Sequence, residues 1–173
     1  MLLIRNGKET LDDCPILEDE ALIPPNGHCC ISVGRWERER ADLLQFSGAI
    51  GIYLASTDDV EVLAHDVRRF QLVVLAFDTA GAGQHFSNAW LLRKRYNYGG
   101  EIRATGAVYQ DQLFYLARCG VNAFVLDDDM CPEVFSRHLK GFSYSYQGAA
   151  DNRAPIYRHR LGFVRLDTTA TPG

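Results

Sequence analysis

The chain of 173 residues is 47% hydrophobic and 23% charged, ordinary globular usage that excludes a wholly disordered, collagenous or coiled-coil protein and allows one buried core. A net charge of −4 with a pI near 5.7 argues against a general binder of nucleic acid or anionic membrane, and the longest apolar run, Leu72 to Phe77, is far short of the ~18 residues of a membrane span. Five cysteines, Cys14, Cys29, Cys30, Cys119 and Cys131, show no CxxC pair or disulfide framework, and acids replace the apolar stretch of a signal peptide near the start, so a cytoplasmic location is expected.

The first 25 residues, with Pro15, Pro24-Pro25 and scattered acids, read as an irregular lead-in holding one short strand at Leu2 to Ile4. Cys30 to Val33 is the first buried strand, and Trp36 to Leu44 a charged, solvated helix after it. Ile50 to Leu54 is the next strand. Thr57-Asp58-Asp59 then caps a helix running to Arg69, with Val60, Leu63, Ala64 and Val67 on one face. Leu72 to Ala76 is followed by a small-residue loop, Asp78 to Ser87, where Ser87 caps a helix that ends in Arg93-Lys94-Arg95 and stops at Gly99-Gly100. Glu101 to Thr105 is a more polar strand, and Gly106 turns the chain into a helix from Val108 to Arg118. Ala123 to Leu126 is the last buried strand. Glu133 to Lys140 predicts a further helix, and the alternation of Phe142, Tyr144 and Tyr146 with serines predicts an edge strand.

This βα alternation predicts a single α/β domain over residues 1–147: a mostly parallel sheet of about five strands with helices on its faces, flavodoxin-like or a partial βα barrel. Residues 148–173, closing in a Thr-, Ala- and Pro-containing string, read as a partly disordered C-terminal tail.

In open parallel sheets ligands bind beyond the carboxyl ends of the strands, which directs attention to three places. The loop from Asp78 through Gln84 and His85 to Ser87 leads into a helix and could offer backbone N–H groups to an anion, although it matches neither GxGxxG nor GxxxxGK[ST]. Arg103 shares a strand face with Glu101 and Thr105. A buried guanidinium must be answered, either by a carboxylate such as Glu101 or Asp111 or by an anionic ligand. Asp111 and Gln112 stand in the first turn of the next helix, where the helix dipole favours negative charge. A small-anion site built from these residues at the carboxyl ends is therefore expected. No metal site is expected: in His28-Cys29-Cys30 the adjacent cysteines lack zinc spacing, Asp127-Asp128-Asp129 reads as a solvated helix cap, and Cys119 has no sequence-adjacent histidine base. No cofactor is identified, since nucleotide fingerprint, cluster cysteines and haem motif are all missing from the sequence.

The block Leu91-Leu92-Arg93-Lys94-Arg95-Tyr96, Tyr98, Gly100-Glu101-Ile102-Arg103-Ala104, Gly106, Asp111-Gln112-Leu113, Leu116-Ala117-Arg118-Cys119-Gly120 and Ala123-Phe124 resembles an uncharacterised bacterial family. Its genes lie beside those of sulfite reductase and phosphoadenosine-phosphosulfate reductase, and it is labelled an oxidoreductase of sulfite reduction. The resemblance spans about Leu22 to Gln147. It implies either an oxidoreductase or an accessory protein that partners sulfite reductase subunits without transferring electrons, or a member that keeps only the fold. The chain departs from the family at Ala82-Gly83-Gln84-His85-Phe86-Ser87, where most members carry Asp-Gly-Arg ahead of an aromatic residue and a serine. If that arginine holds an anionic ligand in the family, this chain has either lost the function or meets the need with Gln84 and His85.

Overall fold

The computed structural model describes residues 2–12, 14–25, 27–78, 83–126, 135, 137, 139, 146, 148–151 and 153–160. Strands β1 (Leu2–Arg5) and β2 (Lys8–Thr10) form an antiparallel hairpin. Asn6 and Gly7 at its tip both have positive φ, 52° and 77°, the backbone that a two-residue hairpin turn demands and that Asn-Gly supplies cheaply. Next come β3 (Cys29–Ser32), β4 (Ile50–Leu54), β5 (Leu72–Phe77), β6 (Glu101–Gly106) and β7 (Ala123–Leu126), adjacent in chain order and parallel throughout. The hairpin extends this sheet through an antiparallel pairing of β1 with β7, giving the order β2-β1-β7-β6-β5-β4-β3. The mixed sheet therefore has seven strands, not about five, and both additional members of the full count come from the hairpin at residues 2–10, where the lead-in predicted one short strand. Three- and four-residue strands carry too little alternation to stand out by pattern.

The order also departs from both expected architectures. A flavodoxin-like sheet reverses its winding at a switch point and takes helices on both faces. Here the winding never reverses, and a uniform crossover hand keeps every covering helix on the same side. The sheet stays open and does not close into a barrel. Ile31, Ile52, Val73, Leu75, Ile102, Ala104 and Phe124 face a layer made by helices α1 (Val33–Leu43), α2 (Gln84–Lys94) and α3 (Gln110–Cys119) through Trp36, Leu43, Ala89, Leu92, Leu113 and Leu116. Each such fully buried side chain contributes about 1.5–3 kcal/mol of transfer free energy. The opposite face, where Cys30, Leu72, Val74 and Cys14 cluster, is crossed by the chain itself. After β2 at one edge, Leu11, Asp12 and Cys14 to Leu17 run over the sheet to the far edge, where Cys30 N donates to Pro15 O (2.9 Å) and Leu17 N to Cys30 O (2.8 Å). We call this segment the strap.

Local chemistry explains where elements differ from expectation. The Ser32 hydroxyl accepts from Arg35 N at 3.0 Å, so α1 starts at Val33 directly off the strand and buries Trp36 edge-on against Phe70, 4.8 Å between centroids. The expected helix after β4 is instead two 3₁₀ turns, Val60–Leu63 and Val67–Arg69. Asp59 accepts from Glu61 N, Asp58 O and Asn88 hold the entry, and Asp66 is drawn away to Arg40. Val60, Leu63 and Val67 are nonetheless buried as their spacing predicted. Helix α2 begins at Gln84 after Gly83, so Ser87 lies inside its first turn and caps nothing. Helix α3 ends on Gly120 at φ 111°, where a Cβ would come within 2.3 Å of Arg93 Cγ. Beyond residue 147 a short helix, α4 (Ile156–Arg160), follows an anchor on α3: Ala150 N donates to Arg118 O (2.9 Å) and Arg118 pairs with Asp151 (2.9 Å). The helix expected over 133–140 and the strand expected over 142–146 fall almost wholly outside the described residues; Phe135, which is described, is buried edge-on against Phe124. Among the described residues no helix is long and apolar enough to cross a membrane.

Candidate functional site

Arg103 sits in the middle of β6, between Val74 of β5 and Ala123 of β7, and its side chain emerges on the strap-covered face. Only 2% of the residue is exposed. Its Nε donates to Glu101 Oε1 at 2.8 Å and its Nη1 to Asp12 Oδ1 on the strap at 2.7 Å. Burial opposes the charge, but the hydrogen bonds and proximity of Glu101 and Asp12 outweigh it and hold the guanidinium above its ordinary value. Glu101 is shared: its other oxygen meets Arg5 Nε at the end of β1. A chain Arg5–Glu101–Arg103–Asp12 thus runs across three elements, with the charges alternating in sign.

Of the residues expected beside it, Arg103 meets Glu101 but not Asp111 or Gln112. Asp111 and Gln112 belong to α3 on the helical face, the other side of the sheet; Asp111 is exposed, and Gln112 Oε1 accepts from Tyr109 N at 3.2 Å, closing the helix start. Asp78, exposed at the end of β5, receives Ser56 Oγ (3.3 Å) and the Tyr53 hydroxyl (3.4 Å). Gln84 Nε2 donates to Asp58 O at 3.2 Å, and Ser87 is exposed. His85 is fully buried between Ala76 O, 3.0 Å from Nε2, and the Asn88 amide, 3.3 Å from Nδ1. These contacts suit a neutral ring that donates from Nε2 and accepts at Nδ1, and burial lowers its pKa. Residues 79–82 of that loop lie outside the described residues. The expected constellation is therefore split. Asp78, Gln84, His85 and Ser87 gather near the carboxyl ends on either side of β5, Asp111 and Gln112 start α3, and Arg103 lies on the strap side.

Around Arg103 there is instead a cavity of about 200 Å³, lined by Arg5, Cys14, His28, Leu72, Glu101 and Arg103 among others. Its lining takes in Ala49, Gln71 and Glu101 at the starts of β4, β5 and β6, so it opens at the amino ends of the parallel strands, opposite to the end anticipated. Sequence reasoning picked out Arg103 and its Glu101 neighbour but missed Arg5, Asp12 and Cys14, because only the β1–β7 pairing and the strap crossing bring residues so distant in sequence to β6. Burial pushes the Cys30 thiol well up, and Cys119, on the other face, is pushed to about 11.

The basic run at the end of α2 has a structural explanation. Arg93 Nη1 donates to Tyr98 O (2.6 Å) and Gly100 O (2.8 Å), Nε to Gly120 O (3.0 Å) and Nη2 to Asn122 Oδ1 (3.3 Å). Asn122 Oδ1 also accepts from Ile102 N at 2.8 Å. One guanidinium thus ties the α2–β6 loop to the α3–β7 loop. No curated protein matches the sequence. Residues 51–157, from β4 into α4, match the model of the family described as "Bacterial protein of unknown function (DUF934)", and the chain belongs to that family.

Proposed function

We propose that this protein assists sulfite reduction as a non-catalytic partner of the reductase, docking through α2 and α3. The observation that carries the reading is an aromatic stripe: Phe86 on α2, Trp90 one turn further on, and Tyr115 of α3, whose ring centroid is 5.4 Å from that of Phe86. Trp90 and Tyr115 are 42% and 40% exposed, and large aromatics left at a surface are what protein interfaces favour at their centres. The partner is suggested by the resemblance to a family encoded beside sulfite reductase. The anion site expected at the carboxyl ends lends no comparable support, because His85 and Gln84 spend their hydrogen bonds within the fold.

Gel filtration of the purified protein with sulfite reductase subunits tests the proposal, and the paired change Trp90→Ala with Tyr115→Ala should weaken any complex by about tenfold or more. Failure to co-elute, or equal binding by the variant, would sink it. Flavin, haem or iron–sulfur absorption in the freshly purified protein would favour the oxidoreductase reading instead.

A further inference from the structure

The charge chain beneath the strap is incomplete in one respect. Among the described residues Arg103 Nη2 donates to no protein group, although the residue is 2% exposed and lines the cavity. That donor is left to the cavity, where a ligand can reach it. A guanidinium presents Nη1 and Nη2 as a parallel fork suited to two oxygens of one anion, and Asp12 fills only one prong, from the strap, with its side chain 48% exposed. Glu101 does not fill the other: its oxygens meet Arg103 Nε and Arg5 Nε.

We infer that the cavity is a binding site for a small oxyanion, which takes the Nη1–Nη2 fork of Arg103 by displacing the Asp12 carboxylate into solvent. The charges fit this exchange. With Asp12 in place, Arg103 is answered by Glu101 and Asp12; with Asp12 swung out, it keeps only Glu101, which it shares with Arg5, and an anion can take the vacated prong. His28, exposed where it borders the cavity, adds a further donor. The volume of about 200 Å³ admits a tetrahedral oxyanion and some water but no nucleotide. Asp12 then acts as an internal competitor, so the site is held shut by a carboxylate that mimics its ligand.

The competitor gives the test an unusual sign. The full chain is titrated with sodium sulfate, phosphate and sulfite by calorimetry, with chloride holding ionic strength constant. Asp12→Asn should bind at least one of these oxyanions about tenfold more tightly than the wild-type chain, because the competing charge has gone while Arg103 remains. Arg103→Gln in the Asp12→Asn background should abolish the gain, with circular dichroism confirming that the protein is folded. If that variant does not fold, His28→Gln in the same background, expected to weaken binding severalfold, takes its place. Equal or weaker binding by Asp12→Asn, or tight binding that survives Arg103→Gln, overturns the proposal. Neither outcome bears on docking through α2 and α3.

Discussion

Replacing Glu101 by Gln removes the carboxylate that Arg5 and Arg103 share. Its side chain is 14% exposed, that of Arg103 3%, and that of Asp12 48%. Breaking a buried ion pair by deleting one partner costs about 3–5 kcal/mol. Here Asp12 still answers part of the Arg103 charge and a glutamine oxygen still accepts a hydrogen bond, so about 2–3 kcal/mol is the expected loss. For a chain of this length that lowers Tm by about 5–10 °C. Asp12→Asn touches the exposed end of the same chain of charges and should cost only about 0–1 kcal/mol. Urea unfolding followed by far-UV circular dichroism measures both. The reasoning fails if Glu101→Gln costs less than about 1 kcal/mol, or if the two variants are equally destabilised, since either result would mean that Arg103 does not depend on Glu101 for its burial.

Three further outcomes follow from the packing. His85 is held neutral with its pKa below 6.5; the unfolded chain then binds the proton more readily, so stability present above about pH 6.5 declines as pH falls through the folded value. His85→Gln should lose part of that slope between urea midpoints at pH 7.5 and 5.5, and an unchanged slope would assign the pH dependence elsewhere. Cys29, Cys30 and Cys119 are buried with raised pKa values, so iodoacetamide at pH 8, mapped by peptide mass spectrometry, should leave them unmodified in the native state and label them in urea; native labelling of Cys119 would contradict its burial. Gly120→Ala forces a side chain into left-handed backbone and against Arg93, and should cost at least about 1–2 kcal/mol in the same urea assay, more than an alanine at exposed Gly99.

The parallel half of the fold was readable because covered strands are continuous apolar runs: Ile50 to Leu54 and Ala123 to Leu126 were placed to the residue, and Leu72 to Ala76 to within one. The 3.6-residue spacing at Val60, Leu63 and Val67 correctly marked what is buried but not the helix type, because Asn88 and Arg40, distant in sequence, take the backbone and the carboxylate that a longer α-helix would need. The candidate site was legible only as far as Arg103 and its need for a counter-charge. Which carboxylate supplies it depends on a strap that crosses the sheet, and no pattern within residues 11–17 announces that crossing. Likewise, the side of the sheet on which Asp111 stands follows from strand order, which residue spacing does not encode.

The pairing of β1 with β7 places Leu2 opposite Leu126 and Arg5 opposite Ala123, so the first strand of the sheet in chain order has to wait for its last. Strands β3 to β6 can assemble in sequence as they are synthesised, each laid beside its predecessor with modest loop closure. The hairpin cannot, because joining chain ends more than a hundred residues apart is a late, slow and entropically expensive event. Until then the strap has no anchored start, and the apolar surface of Cys30, Leu72 and Val74 beneath it stands open. The β1–β2 hairpin is thus the closing piece of the sheet's folding, and a nascent protein arrested before β7 should present that face to chaperones or to aggregation.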